Sequence, residues 1–343
     1  MHRFQAMNSS FHTAGLRAGH EVEAESWFAF VERHLSRFKR DSELSHLNAQ
    51  AGYPFYASAL MYQAAREALH FYEQTDGLFN PFMGQRLCQL GYDRIMDWER
   101  SSGHQSTLQM IADPQQQEQK QQKTQNVQKA PSAISLISTG TFGKRLYTLD
   151  PILQTIHLHP DVQLDLGGIA KGWSAAQLAM MLQEQGESSG MIDAGGDLVI
   201  WGSQQREYHV EIADPWESHR TAATIELNQD AGIATSSTLR RSWQGSDQRS
   251  YHHLLDPRSG TSAQSEWVQM TVISPSLTLS EVYAKCVLIL GADEGPGWLR
   301  RQCSDAAMIG IRNDGICVID GPIAHYGQFY RQGEWITYEQ HMA

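Results

Sequence analysis

The stretch Leu164–Ala176, LDLGGIAKGWSAA, decides both the fold and the chemistry expected of this chain. An apolar run ends at Gly167 and Gly168, and a helical pattern that contains Lys171 follows directly. Glycine lets a backbone approach another group closely, and the lysine adds a fixed positive charge, so the corner indicates a phosphate site. The spacing is neither G-x-G-x-x-G nor G-x-x-x-x-G-K-[ST], which excludes a Rossmann or P-loop motif. The alternative is a glycine pair that only marks a bend or close packing.

Composition limits the class of protein further. The chain has 343 residues, of which 41% are hydrophobic, enough for one large domain or two ordinary ones. Its net charge of −11 argues against nucleic acid as a partner, because non-specific binding needs a basic face. No apolar run approaches the roughly 20 residues that span a bilayer, so no stable membrane insertion is expected.

Targeting and cysteine signals indicate a cytoplasmic protein. The first residues, MHRFQAMNSSFHTAGL, contain no apolar signal region, although a misassigned start that removed a leader would look the same. The cysteines are scattered without C-x-x-C pairs, which argues against a zinc site or a disulfide framework.

The order of elements predicts an α+β fold with mixed, largely antiparallel sheets and packed helices. Helical spacing predicts four main helices, over Glu21–Leu47, Ser58–Gln74, Lys171–Gln185 and Ser280–Leu290. Ser58 and Ser280 are candidate N-caps of the second and fourth. Short strands separated by Gly, Asn and Asp turns dominate the second half of the chain. We expect one domain over residues 1–343, with a polar, glutamine-rich, disordered insertion at 98–133.

Five stretches carry groups suited to chemistry, although each alone has a simpler interpretation as a cap, a loop or a bend. His253 lies beside an Asp-Pro turn, and a histidine in such a place can titrate near neutrality. Glu281 and Lys285 are four residues apart on one helix, where a surface ion pair is the simple interpretation. The stretches are SRFKRDSELSHLN (36–48), TDGLFNP (75–81), the opening stretch with MIDAGGDL (191–198), ATSSTLRRSW with YHHLLDPRSG (234–260), and SEVYAKCVLILG (280–291).

Taken in this order, and with MNSS near the start, the stretches resemble the FAD:protein FMN transferase (ApbE) family over nearly the whole chain except the insertion. The resemblance implies that FAD is bound with Mg²⁺ at its diphosphate. A Thr or Ser hydroxyl of a target flavoprotein attacks the FMN-side phosphorus, AMP leaves, and FMN remains as a phosphoester. A water nucleophile would instead make the protein an FAD pyrophosphatase, and loss of catalysis would leave a noncatalytic FAD-binding protein.

The resemblance also implies roles for individual residues. His253 is the expected general base, and the expected metal ligands are the Gly168 carbonyl, Glu281 and Lys285. The expected FAD contacts are Met7, Phe38, Gly77, Leu78, Phe79, Asp165, Lys171 and Leu254.

Some positions depart from the family pattern. Asn80, Ala176 and Ser237 occupy positions where the family usually has aspartate, aspartate and glycine. In the last motif, Glu281 and Lys285 replace an aspartate and a threonine. A protonated lysine cannot ligate a cation, so weakened magnesium dependence is expected.

Overall fold

The computed structural model describes residues 1–92, 145–204, 208–217, 219–245, 247–331 and 334–335. The predicted insertion at 98–133 lies outside these ranges. The helices within them are α1 (Ala18–Leu35), α2 (Glu43–Ala49), α3 (Ala59–Gln74), α4 (Gly84–Gln89), α5 (Ala170–Glu184), α6 (Leu277–Gln302) and α7 (Ile323–Tyr326).

The strands group into one large sheet and several small ones. They are β1 (His2–Ala6), β2 (Ser9–Ala14), β3 (Pro54–Tyr56), β4 (Tyr147–Asp150), β5 (Thr155–Leu158), β6 (Gly190–Ala194), β7 (Leu198–Trp201), β8 (Tyr208–Ala213), β9 (Thr221–Leu227), β10 (Ala231–Ser237), β11 (Ser242–Gln244), β12 (Ser250–His252), β13 (Leu255–Asp256), β14 (Thr261–Ser262), β15 (Trp267–Ser274), β16 (Ala307–Arg312), β17 (Cys317–Asp320), β18 (Gly327–Arg331) and β19 (Glu334–Trp335).

The large sheet has eight strands in the order β1-β2-β6-β7-β10-β15-β16-β17. A four-stranded sheet, β19-β18-β9-β8, and a three-stranded sheet, β3-β5-β4, accompany it, together with the hairpins β11-β12 and β13-β14. Neighbouring strands are antiparallel in every pair that the described residues form. The predicted α+β class is confirmed.

The core lies on both faces of the large sheet. All eight residues of β15 are buried, because one face packs on α6 and the other on the four-stranded sheet. Met270 and Val272 belong to the cluster that contains α6, whereas Ile273 packs with Ile225 of β9. Covering on both faces explains why the strand reads WVQMTVIS, mostly apolar rather than strictly alternating. Among the described residues, no helix is both long and apolar enough to cross a membrane.

Helix boundaries follow the serine caps. Ser58 caps α3 as predicted, since its Oγ accepts the Met61 N–H at 3.2 Å. The predicted continuous helix over Glu21–Leu47 is wrong. The chain leaves α1 at Ser36 and starts α2 after Ser42, whose Oγ accepts the Ser45 N–H at 3.0 Å. Serine side chains compete with helical hydrogen bonds in this way, and the break supplies a loop that faces the site described below.

The start of α6 was also predicted too late. Ser276, not Ser280, is the cap, and the Ser280 hydroxyl donates to the Gly232 carbonyl at 2.9 Å. The predicted end near Leu290 corresponds to Gly291, whose φ of 83° interrupts α6. The first half of α6 therefore packs as a separate helical segment against the large sheet.

Candidate active site

A cavity of about 460 Å³ lies where the loops after α1 and α3, the start of α5 and the first half of α6 meet. Its volume falls in the range of roughly 300–1,000 Å³ that is typical of ligand pockets. Eleven of the twelve predicted site residues line it: Met7, Phe38, Leu78, Phe79, Asp165, Gly168, Lys171, His253, Leu254, Glu281 and Lys285.

Gly77 is the exception. It does not line the cavity; it closes the turn after α3 with a φ of 78°, and its N–H donates to the Tyr72 carbonyl at 2.8 Å. This positive φ favours glycine and holds the following Leu78 and Phe79 in place.

The glycine corner that opened the sequence analysis lines the cavity, and a side chain at Gly168 would crowd its neighbours. A Cβ on Gly168 would lie 3.2 Å from the Phe79 ring and 3.6 Å from Cε of Lys285. The Asp165 carboxylate accepts the Gly167 N–H at 2.8 Å, which holds the turn. The backbone at this corner therefore forms part of the cavity wall.

Lys171 is held at the start of α5 as an ammonium group. Its Nζ donates to the carboxylate of Asp197 and, at 3.3 Å, to the Ala194 carbonyl. Burial acts to lower the pKa of Lys171, but the charges of Asp197 and Glu281 outweigh it and raise the pKa above its ordinary value. Asp197 also accepts the Thr235 N–H at 3.2 Å. The positive charge beside the glycine corner is thus fixed in place and present at all physiological pH values.

His253 faces the cavity in its neutral form. The backbone N–H of His253 donates to the Arg241 carbonyl at 3.2 Å. The buried ring Nδ1 has no hydrogen-bond partner among the described residues. Burial, followed by the charges of Arg241 and Lys285, places the pKa of His253 well below its ordinary value. A neutral imidazole can accept a proton, which is what a general base must do. The neighbouring His252 lies outside the cavity lining, and its Nε2 contacts the Ala263 carbonyl at 3.1 Å.

Glu281 and Lys285 form a buried pair, so the simple interpretation as a surface pair is wrong. Glu281 is only 2% exposed, and its Oε2 accepts the Gly172 N–H at 2.8 Å. Its Oε1 lies 3.5 Å from Nζ of Lys285, and that Nζ also donates to the Glu281 carbonyl at 2.9 Å. The pair places a second ammonium group beside Gly168.

The residues at this position fit a tightly held divalent cation poorly. Among the described residues, no group of three or more His, Cys, Asp and Glu side chains is arranged to hold a metal ion. Three carboxylates of the cavity wall, Asp165, Asp197 and Glu281, each already pair with a cationic side chain. Magnesium usually takes one or two carboxylates together with water and substrate phosphates, whereas the predicted set offers one carboxylate that is already paired, one carbonyl and an ammonium group that cannot ligate.

Arg37 is a site residue that the sequence analysis did not identify. Its guanidinium group lies 4.2 Å from the ring centroid of Phe38 and 4.9 Å from that of Tyr92. Its Nε forms an ion pair with Asp165 at 3.2 Å, which fixes this carboxylate at the cavity wall. The only sequence signal was its place next to Phe38 in a motif already chosen. Asp197 was missed in the same way, although it lies within MIDAGGDL.

The departures from the family pattern fall in different places. Asn80 and Ser237 line the cavity, whereas Ala176 packs at a hydrophobic cluster of α1 and α5. The Asn80 Oδ1 accepts the Phe82 N–H at 2.9 Å, and its buried Nδ2 has no partner within the described ranges. Asn80 therefore stabilises the turn and presents a donor rather than a charge.

Comparison with known proteins is consistent across sequence and structure. A family model described as the ApbE family matches residues 7–309. The FAD:protein FMN transferase of Treponema pallidum is 27% identical over 303 residues, which cover 83% of this chain and 76% of that protein. The enzyme of the same name from Vibrio cholerae is 24% identical over 298 residues, which cover 86% of this chain and 80% of that protein.

Solved structures show that the fold is shared. The crystal structure of the ApbE protein from Thermotoga maritima has a TM-score of 0.72 at 20% identity, and covers 95% of this chain and 98% of its own. The flavin transferase ApbE from Vibrio cholerae has a TM-score of 0.67 at 20% identity, and the match covers 94% of this chain and 97% of that one.

Proposed function

The chain belongs to the ApbE family, and on that premise we propose that it transfers FMN from FAD to a Thr or Ser hydroxyl of a target flavoprotein, with release of AMP. The observation that carries the proposal is the cavity in which a neutral His253 faces the same space as the glycine corner and Lys171. Phosphoryl transfer from a diphosphate depends on positioning and on neutralisation of developing charge, which the close backbone approach and the fixed cation serve, while the base activates the hydroxyl.

FAD binds with its diphosphate at Gly167–Gly168, where the backbone is accessible and Lys171 supplies a positive charge. Leu254 and Phe79 offer apolar surface in the same cavity, which suits a flavin ring. Asp165, fixed by Arg37, offers carboxylate oxygens to hydrogen-bond donors of the nucleotide. Met7 and Phe38 complete this contact set at the cavity wall.

His253 takes the proton from the acceptor hydroxyl as the oxygen attacks the FMN-side phosphorus. The new P–O bond joins FMN to the acceptor, and the bond to the bridging oxygen breaks, so the electron pair leaves with AMP. Negative charge grows on that leaving phosphate, and the ammonium groups of Lys171 and Lys285 stabilise it. Their ion pairs keep both charges in position before the reaction, so little reorganisation is needed.

We propose that magnesium dependence is retained but weak. The Gly168 carbonyl and Glu281 are the oxygens that this chain offers, and the Lys285 ammonium already supplies positive charge at the same place. No step of the proposed reaction is assigned to a metal. A metal, when bound, would neutralise further charge on the diphosphate.

Two broader expectations stay predictions: a single domain over residues 1–343 and a cytoplasmic location. Met7 and Lys285, which are far apart in the sequence, line the same cavity, and this supports a single domain. Fractionation of the producing cells tests the second.

The test is to incubate the protein with FAD and to follow AMP release with and without a candidate acceptor flavoprotein. Release that depends on the acceptor, with flavin bound covalently to it, supports the transferase. Equal release without an acceptor supports the pyrophosphatase, because water has then replaced the hydroxyl. Bound flavin with no AMP release would indicate a noncatalytic FAD-binding protein and would overturn the proposal.

A further inference from the structure

The charged side chains of the cavity wall are not evenly paired. Arg37, Lys171 and Lys285 each form an ion pair with a carboxylate of the same wall. Arg240 and Arg241 also line the cavity, but neither forms an ion pair within the described ranges. These two therefore differ from the other cations, whose charges are already balanced inside the protein.

Of these two arginines, Arg241 is better placed to interact with a charged ligand in the cavity. It is half-buried, whereas Arg240 is exposed and therefore screened by water. The Arg241 carbonyl accepts the His253 N–H at 3.2 Å, and the next residue, Ser242, pairs with His252 in the β11-β12 hairpin. These backbone contacts hold the arginine next to the predicted base.

The charge of Arg241 affects the pKa of His253 and that of Lys171. It acts to lower the pKa of His253, after the larger effect of burial, and it also acts to lower the pKa of Lys171. Arg241 is half-buried and has no carboxylate partner within the described ranges, so its charge is available to a ligand. A ligand with negative charge next to it therefore gains a favourable charge interaction.

We propose that Arg241 binds the diphosphate of FAD beside His253 and stabilises the negative charge that passes to the leaving AMP. The inference rests on the proposed function. Guanidinium presents a planar fork of donors that matches phosphate oxygens, and its charge is permanent. Because the residues present fit a divalent cation poorly, a third positive charge in the cavity that also contains Lys171 and Lys285 takes over part of the neutralisation.

The proposal is tested by flavin binding, independently of turnover. Arg241→Gln, Arg241→Lys and the neighbouring Arg240→Gln are compared with the parent by quenching of flavin fluorescence, using FAD and riboflavin as the two probes in EDTA. Riboflavin has the same ring but no phosphate. Thermal unfolding confirms that each variant is folded.

We expect Arg241→Gln to weaken FAD binding by roughly 10- to 100-fold, the range for loss of one hydrogen bond to a charged group. Riboflavin binding should change by less than about 2-fold. Arg241→Lys, which keeps the charge but loses the fork, should restore binding in part. Arg240→Gln should weaken FAD binding by less than about 3-fold, because the exposed charge is screened.

Two outcomes would overturn the inference while leaving the proposed function intact: unchanged FAD binding by Arg241→Gln, or equal weakening for FAD and riboflavin, which would indicate a structural role. A parent protein that fails to bind FAD would instead contradict the proposed function. A parent that binds FAD through Arg241 but never releases AMP would contradict the transfer reaction and leave the anion-binding role standing.

Discussion

Replacement of Lys285 by threonine provides a sharp test of how this site neutralises charge. Nζ of Lys285 lies 3.5 Å from the Glu281 carboxylate, which is 2% exposed. Removal of one partner of a buried pair costs about 3–5 kcal/mol of the free energy of unfolding. We expect the lower end, about 3 kcal/mol, because the Gly172 N–H still donates to Glu281. For a chain of this size that corresponds to a fall in Tm of about 4 °C in EDTA.

Magnesium should restore part of the lost stability in Lys285→Thr, since the freed carboxylate and the new hydroxyl are oxygen ligands. At 10 mM Mg²⁺ and a Kd of about 1 mM, ligand linkage gives roughly 1.4 kcal/mol. The parent should show little magnesium effect on Tm. Lys285→Met is the matched control, because it loses the charge without adding an oxygen and should regain less stability.

The assay pairs thermal unfolding in EDTA and in magnesium with a magnesium titration of AMP release. Lys285→Thr should require magnesium more strictly than the parent, which should retain activity at low magnesium. Equal magnesium requirements in the two proteins, together with an unchanged Tm in EDTA, would refute the reasoning. The Lys285 ammonium would then not replace any of the charge of a metal.

Further predictions follow from the base and from the insertion. His253→Ala should abolish AMP release and leave FAD binding within a few-fold, whereas His252→Ala should retain activity; unchanged turnover of His253→Ala would place the role of base elsewhere, with His252 the first candidate. Because the pKa of His253 is lowered, the imidazole stays neutral as pH falls through the ordinary histidine value of about 6.5, and a pH profile of AMP release should decline only below it. Deletion of Gln115–Lys129 should leave Tm and activity nearly unchanged, because the stretch has too few apolar residues to join a core; a large fall in Tm would contradict this.

Local sequence patterns predicted several elements, and the family resemblance pointed to residues that line one cavity. The capped helix after Ser58, the glycine corner and the helix that carries Lys171 depend on neighbouring residues only, so they could be derived from the sequence. Eleven of twelve expected residues line one cavity. Their specific contacts with FAD and metal stay predictions.

Long-range partners could not be derived in this way. Asp197 pairs with Lys171, and Arg37 pairs with Asp165 over more than a hundred residues, because folding brings separate elements together. Burial of the Glu281–Lys285 pair depends on α5 packing against α6, which places the Gly172 N–H on the carboxylate. Helical spacing gives only the shared face of such a pair, not what covers it.

The most direct test of the central claim is the stoichiometry of AMP release and covalent flavin on the acceptor. The protein is incubated with FAD and a candidate acceptor flavoprotein, the acceptor is denatured to remove unbound flavin, and its intact mass is compared with the AMP produced. We expect one FMN on the acceptor for each AMP released, at a Thr or Ser, and neither product with His253→Ala. AMP release without any gain in acceptor mass would contradict the account and identify water as the nucleophile.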